Sequence, residues 1–127
     1  MSSNLKIGFL GLGKMGHSLA SSSGKWKLFG YDVVRPSSLP SGLVWTQSIS
    51  DLEREADVII LCVKPVDMKS AVSQLTGEKK YISIAAGLST ATLQSYFTRH
   101  EVSIARAMPS IGALIGKSVS AVYCKDP

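Results

Sequence analysis

A chain of 127 residues, 45% hydrophobic and 18% charged, can bury roughly two-thirds of the surface that its unfolded form exposes, and this balance excludes a disordered or fibrous class. Its net charge of +5 comes from scattered lysines and arginines, with no basic helix or aromatic-rich basic strand that would mark a nucleic-acid partner. The longest apolar run, Val58 to Val63, falls far short of the ~20 residues needed to cross a bilayer, so no membrane partner is expected.

The start, Met1-Ser2-Ser3-Asn4, lacks the flanks of a signal peptide. Cys62 in an apolar run and Cys124 near the end fit reduced thiols, and their spacing suits neither zinc nor a redox pair. A cytoplasmic protein without a metal site is the expectation.

Short apolar runs suited to buried strands alternate with segments of helical spacing. The first strand is predicted at Lys6 to Leu10, followed by glycines and a helix in which Met15 and Leu19 share a face. A second strand spans Lys27 to Tyr31. Ser37, Ser38, Pro40, Ser41 and Gly42 then form a loop before a weaker strand, Leu43 to Thr46. Ser50 with Glu53 has the form of a capping box, predicting a helix to about Ala56. After the strand Val58 to Val63, Pro65 suits a first turn, and Met68, Ala71, Val72 and Leu75 follow the helical i, i+3, i+4, i+7 spacing. Tyr81 to Ala85 is the next strand. Ser89 can cap a helix in which Leu93, Tyr96 and Phe97 share a face. Val102 to Met108 and Val119 to Tyr123 are the last predicted strands. Strand alternating with helix implies a Rossmann-like, doubly wound α/β fold, with a mostly parallel sheet covered on both faces.

The clearest chemical signal is Ile7 to Ala20, IGFLGLGKMGHSLA. A strand runs directly into Gly11-x-Gly13-x-x-Gly16, a helix follows, and Asp32 lies about twenty residues on, at the next strand end. Gly11 permits the tight turn, Gly13 lets backbone approach a pyrophosphate, and Gly16 packs helix against strand. Leu10, Leu12, Lys14 and Met15 complete this candidate cofactor loop. The helix N-terminus offers N–H groups and a positive dipole end to phosphates. Two rivals fail on spacing: His17 stands where a P-loop needs lysine, and Ala91 replaces the last glycine of a nucleophile elbow around Ser89. Asp32 would accept from a ribose 2′-OH and favour NAD, whereas Arg35 could reach the 2′-phosphate of NADP if Asp32 turns away. The cofactor expected is NAD or NADP. Lys14, Arg35 and Lys64, each beside a strand end, could attract a small polyanion.

Three further stretches, ADVIILCVKP (Ala56 to Pro65), ISIAAGLS (Ile82 to Ser89) and RAMPSIGALIG (Arg106 to Gly116), follow in order. With the glycine loop they resemble the N-terminal half of the pyrroline-5-carboxylate reductase family over nearly the whole chain. The resemblance implies an oxidoreductase domain that passes hydride from NAD(P)H to a cyclic imine in proline biosynthesis. It places Cys62, Val63, Lys64 and Pro65 beside the nicotinamide ribose. Ala85, Ala86 and Gly87 are small enough for the reactive ring to lie against backbone. Met108, Pro109 and Ser110 begin the loop shared by cofactor and substrate. That loop reads Met108-Pro109-Ser110-Ile111-Gly112-Ala113 where most of the family carries MPNTPA, and Ile111 replaces a polar threonine.

Family members continue into an all-helical domain that forms the dimer and completes the substrate site. Residues 1–127 correspond to the dinucleotide-binding domain, and the resemblance implies that this second domain is absent. Neither His17 nor His100 is placed as a general acid, so no catalytic residue is assigned. Such a chain is expected to bind dinucleotide, to turn over an imine poorly unless completed, and to self-associate weakly. A stand-alone dinucleotide-binding or regulatory module is the alternative.

Overall fold

The computed structural model describes residues 5–23, 26–99 and 101–107, together with the backbone of 123–124. In chain order it contains β1 (Lys6–Leu10), α1 (Lys14–Ser21), β2 (Lys27–Tyr31), β3 (Leu43–Trp45), α2 (Ile49–Glu55), β4 (Val58–Leu61), α3 (Pro65–Val72), β5 (Lys80–Ser83), α4 (Thr90–Tyr96), β6 (Ser103–Arg106) and β7 (Tyr123–Cys124). The sheet order is β3-β2-β1-β4-β5-β6-β7. The first six strands are parallel, and β7 pairs antiparallel with β6. This is the Rossmann-like architecture that the alternation implies.

Side chains along β1 alternate between two cores, as the period-two geometry of a strand requires. Ile7 and Phe9 join Leu19, Ala20, Leu28 and Ile60 on the α1 face. Leu10 joins Leu52, Ile59, Leu61, Met68, Val72 and Leu93 on the face covered by α2, α3 and α4. Both faces of the strands are buried, so β1 and β4 read as continuous apolar runs.

The last three long strand predictions overrun at their C-terminal ends. The strand expected to Val63 stops at Leu61, the one expected to Ala85 stops at Ser83, and the one expected to Met108 stops at Arg106. In each case one further backbone bond continues past the end: Cys62 N–H to Leu10 (2.8 Å), Ile84 N–H to Leu61 (3.3 Å) and Ala107 N–H to Ser83 (2.9 Å). The chain then leaves the sheet, so Cys62–Val63 and Ile84–Ala85, the apolar tails of the first two runs, belong to loops on one edge.

Two local expectations are corrected. The cap of α2 is Ser48, whose hydroxyl accepts from Asp51 N–H at 3.0 Å, and Ser50 lies inside the helix. Glu53 therefore does not close a capping box; it points inward and is buried. Its carboxylate accepts from the Tyr81 hydroxyl, from Thr76 N–H at 3.0 and 3.1 Å, and from Thr76 Oγ1 at 3.1 Å. Met15 and Leu19 also part company: Leu19 is buried, whereas Met15 is 40% exposed. Met15 lies in the first turn of α1, next to the sheet edge, where the strands no longer cover it. Ser89 caps α4 as expected, accepting from Thr92 N–H at 3.0 Å, and Pro65 occupies the first turn of α3.

Candidate dinucleotide site

Because β1, β4, β5 and β6 are parallel neighbours, the loops at their C-terminal ends share one edge. The chain order reverses between β1 and β4, and open α/β sheets bind ligands in the crevice at such a reversal. The glycine loop leaves β1 at that point, Cys62 to Pro65 leave β4 beside it, and Ile84 to Gly87 leave β5 next along. The edge thus brings together the predicted residues from Leu10 to Gly16, Asp32, Cys62 to Pro65, and Ala85 to Gly87. Met108, Pro109 and Ser110 lie outside the described residues, as does His100.

The three glycines of the loop are needed for different reasons. Gly11 sits at φ +105°, and a side-chain carbon there would lie 2.8 Å from the Cys62 carbonyl carbon. At Gly16 such a carbon would lie 2.2 Å from the Gly11 carbonyl oxygen. Both positions are set by packing of the loop onto β4 and onto itself. Gly13 differs: its φ of −72° suits any residue, and nothing stands within 4 Å of where its Cβ would be. The space beside Gly13 opens directly at the start of α1, whose N-cap has no capping side chain. That open cradle fits a phosphate approaching backbone N–H groups.

Asp32 anchors the loop. Its Oδ2 accepts from Leu12 N–H at 2.7 Å and its Oδ1 from Val33 N–H at 2.7 Å. Gly11 N–H donates to the Tyr31 carbonyl at 2.9 Å, so two bonds tie the loop to the end of β2. Burial and, to a lesser degree, the Asp32 charge push the Cys62 thiol well above its ordinary range. Cys62 is therefore a neutral thiol packed behind Gly16, with its Cβ 3.3 Å from a carbon placed there. Lys14 and Lys64 are exposed along the edge. Arg35 is also exposed, but its guanidinium stacks over Trp45 at 5.6 Å, and Trp45 in turn stacks on Tyr31 at 5.5 Å.

A cleft of about 190 Å³ lies beside Asp32, between the ends of β1 and β2 and the outer side of α3. Asp67, Ser70 and Ala71 of α3, with Gln74 in the turn after it, form one wall. Sequence reasoning missed this wall, although Asp67, Ser70, Ala71 and Gln74 repeat the helical spacing beside the apolar stripe of Met68, Val72 and Leu75. Among the described residues, no group of three or more His, Cys, Asp or Glu side chains could hold a metal ion. No described helix is long and apolar enough to cross a membrane.

Fold and site together define a nucleotide-binding α/β domain of the oxidoreductase type. The chain belongs to the family described as NADP oxidoreductase, coenzyme F420-dependent, whose model matches residues 6–87. It is similar to the pyrroline-5-carboxylate reductase of Methanosarcina acetivorans, with 32% identity over 94% of this chain and 49% of the relative. The Pisum sativum pyrroline-5-carboxylate reductase is 31% identical over 94% of this chain and 48% of its own length. Among solved structures, Plasmodium falciparum pyrroline carboxylate reductase with NADP bound superposes with a TM-score of 0.74 at 30% identity, covering 87% of this chain and 44% of that one. The chain thus spans about half the length of the relatives it matches, and it resembles their dinucleotide-binding half.

Proposed function

We propose that this chain is the dinucleotide-binding domain of an imine reductase of the pyrroline-5-carboxylate type, taking NAD or NADP along the strand-end edge. One observation carries the reading. Nothing in the fold needs glycine at position 13, where the backbone is relaxed and the Cβ position is empty to 4 Å. A pyrophosphate seated there would need that space. The reaction class is supported by likeness to the pyrroline-5-carboxylate reductases of Methanosarcina acetivorans and Pisum sativum.

In this reading the Gly11–Gly16 loop holds the pyrophosphate through backbone N–H groups, with exposed Lys14 adding charge. Asp32 and Arg35 belong to the adenosine end. Cys62, Val63, Lys64 and Pro65 line the nicotinamide half, with Ala85, Ala86 and Gly87 next to them. Gly87 sits at φ +80°, a turn conformation that glycine adopts readily. Met108, Pro109 and Ser110 complete the same half. A reduced nicotinamide, when bound, supplies hydride to a C=N carbon; the protein's part is to fix the cofactor against the substrate and to keep water out.

A second reading, a dinucleotide-binding module without catalysis, is favoured by one feature. Burial raises the Cys62 thiol well above its ordinary range, which makes this edge group a poor proton donor. Titration calorimetry with NADH and with NADPH tests both readings at their common root: heat of binding for at least one is expected, and none at millimolar concentration contradicts them. Oxidation of the bound cofactor on adding pyrroline-5-carboxylate then separates reductase from module.

A further inference from the structure

Three strands end level with one another, and Ser83 stands in the middle of that row. β5 lies between β4 and β6, and Ser83, its last residue, is in register with Leu61 and Arg106, the last residues of its neighbours. Ser83 is 1% exposed, within a run whose other members from Tyr81 to Ala85 are apolar or aromatic. A hydroxyl so placed costs stability unless it is bonded. Its Oγ accepts from Ala85 N–H at 3.2 Å, and its carbonyl accepts from Ala107 N–H at 2.9 Å. One residue therefore ties the first turn after β5 and the first residue after β6. The Ser83–Ala85 bond is buried, so without the hydroxyl the Ala85 N–H must shift to find another partner. Ala86 and Gly87, next along the same turn, are exposed.

We propose that Ser83 is a positioning residue for the nicotinamide ring: its hydroxyl fixes the Ala85–Ala86–Gly87 turn, and through that turn the seat of the cofactor's reactive half. The inference rests on the dinucleotide reading above and goes beyond it, since it assigns a role to a buried residue that is itself out of the ligand's reach. The glycine loop does not share this dependence. It is held by the packing of Gly11 on Cys62, by the contact of Gly16 with Gly11, and by the Leu12 N–H bond to Asp32. The pyrophosphate and adenosine end is therefore independent of the Ser83 hydroxyl, whereas the nicotinamide end relies on it. A turn that can take several arrangements must be ordered again on binding, and only the part of the ligand lying against it bears that cost.

The test titrates the 127-residue chain with whichever reduced dinucleotide it binds, NADH or NADPH, and with the matching fragment that lacks nicotinamide, ADP-ribose or its 2′-phosphate. Calorimetry gives both affinities, nicotinamide fluorescence reports the environment of the ring, and circular dichroism checks the fold of every variant. Ser83→Ala is expected to weaken the reduced dinucleotide about threefold to tenfold, the worth of one neutral hydrogen bond. Bound-nicotinamide emission should move toward that of free cofactor, while affinity for the fragment stays within about twofold. Ser83→Thr keeps the hydroxyl and is expected to recover most of the loss. Ser83→Cys, similar in volume but a weak acceptor, is expected to show the same split and serves where Ser83→Ala does not fold. Equal losses for dinucleotide and fragment in a folded variant overturn the inference, because Ser83 then acts on the fold as a whole. Unmoved affinity and emission in Ser83→Ala also overturn it, as does a folded Ser83→Thr that behaves like Ser83→Ala. If the unsubstituted chain binds the fragment as tightly as the dinucleotide, the ring has no seat on this chain, and the inference falls while the dinucleotide reading stands. Binding of neither by a folded chain overturns both.

Discussion

A side-chain carbon on Gly16 would lie 2.2 Å from the carbonyl oxygen of Gly11, so the start of α1 and the end of β1 touch through bare backbone. No rotamer relieves such a contact, because both partners are main chain. Gly16→Ala is expected to cost about 3 kcal/mol or more of folding stability, the upper range for overpacking. Urea denaturation measures it, and a loss below about 1 kcal/mol would mean that the loop can shift at little cost.

The cap of α2 gives a smaller, sharper contrast. Ser48→Ala removes the hydroxyl that accepts from Asp51 N–H and is expected to cost about 1 kcal/mol. Ser50→Ala, two residues on and exposed within the helix, should change stability by less than about 0.5 kcal/mol. Equal losses at the two positions would place the cap elsewhere.

Tyr81, 1% exposed, donates its hydroxyl proton to buried Glu53 and accepts from Gly77 N–H at 3.0 Å and Lys79 N–H at 3.2 Å. Tyr81→Phe strands these partners and is expected to cost about 1–3 kcal/mol. Burial first, and then the bond to Glu53, push the phenol above its ordinary value of 10. A group whose folded pKa is raised contributes stability that is complete below its unfolded pKa and is lost as pH rises through the folded one. Stability of the unsubstituted chain should therefore fall as pH climbs above about 10, and Tyr81→Phe should flatten that fall. The raised Cys62 thiol acts in the same direction from about pH 9, so part of the slope should persist in the variant. Chemical denaturation between pH 8 and 11 reads both effects, and identical slopes would remove Tyr81 from the alkaline behaviour.

The fold was legible in the sequence because its strands are buried on both faces and its helices are marked by residues such as Pro65 and Ser89. The glycine loop was legible for the same local reason: strand, glycines and helix are contiguous. What escaped was set by contacts distant in the chain. Ser50 and Glu53 have capping-box spacing, yet Glu53 is claimed by Thr76 and Tyr81, more than twenty residues away. Asp32 reads as a ribose carboxylate, but its bond back to Leu12 depends on how β1 and β2 lie side by side. Arg35 reads as a phosphate ligand, and its contact with Trp45, which β3 brings alongside, could not be read from the sequence. Asp67 and Gln74 come to line the cleft beside Asp32 only once α3 is packed against the sheet.

The dinucleotide assignment meets its most direct test at Gly13. Gly13→Val places methyl groups in the open cradle, where nothing lies within 4 Å of the added Cβ, at a φ of −72° that valine adopts readily. Thermal denaturation and cofactor titration of that one variant, run side by side, separate folding from binding. The expected result is a midpoint within about 4 °C of the unsubstituted chain, equivalent to roughly 1 kcal/mol or less, together with no detectable binding of NADH or NADPH at millimolar concentration. A folded variant that binds either cofactor as tightly as the unsubstituted chain would contradict the assignment, because the space beside Gly13 would then not be where the pyrophosphate sits.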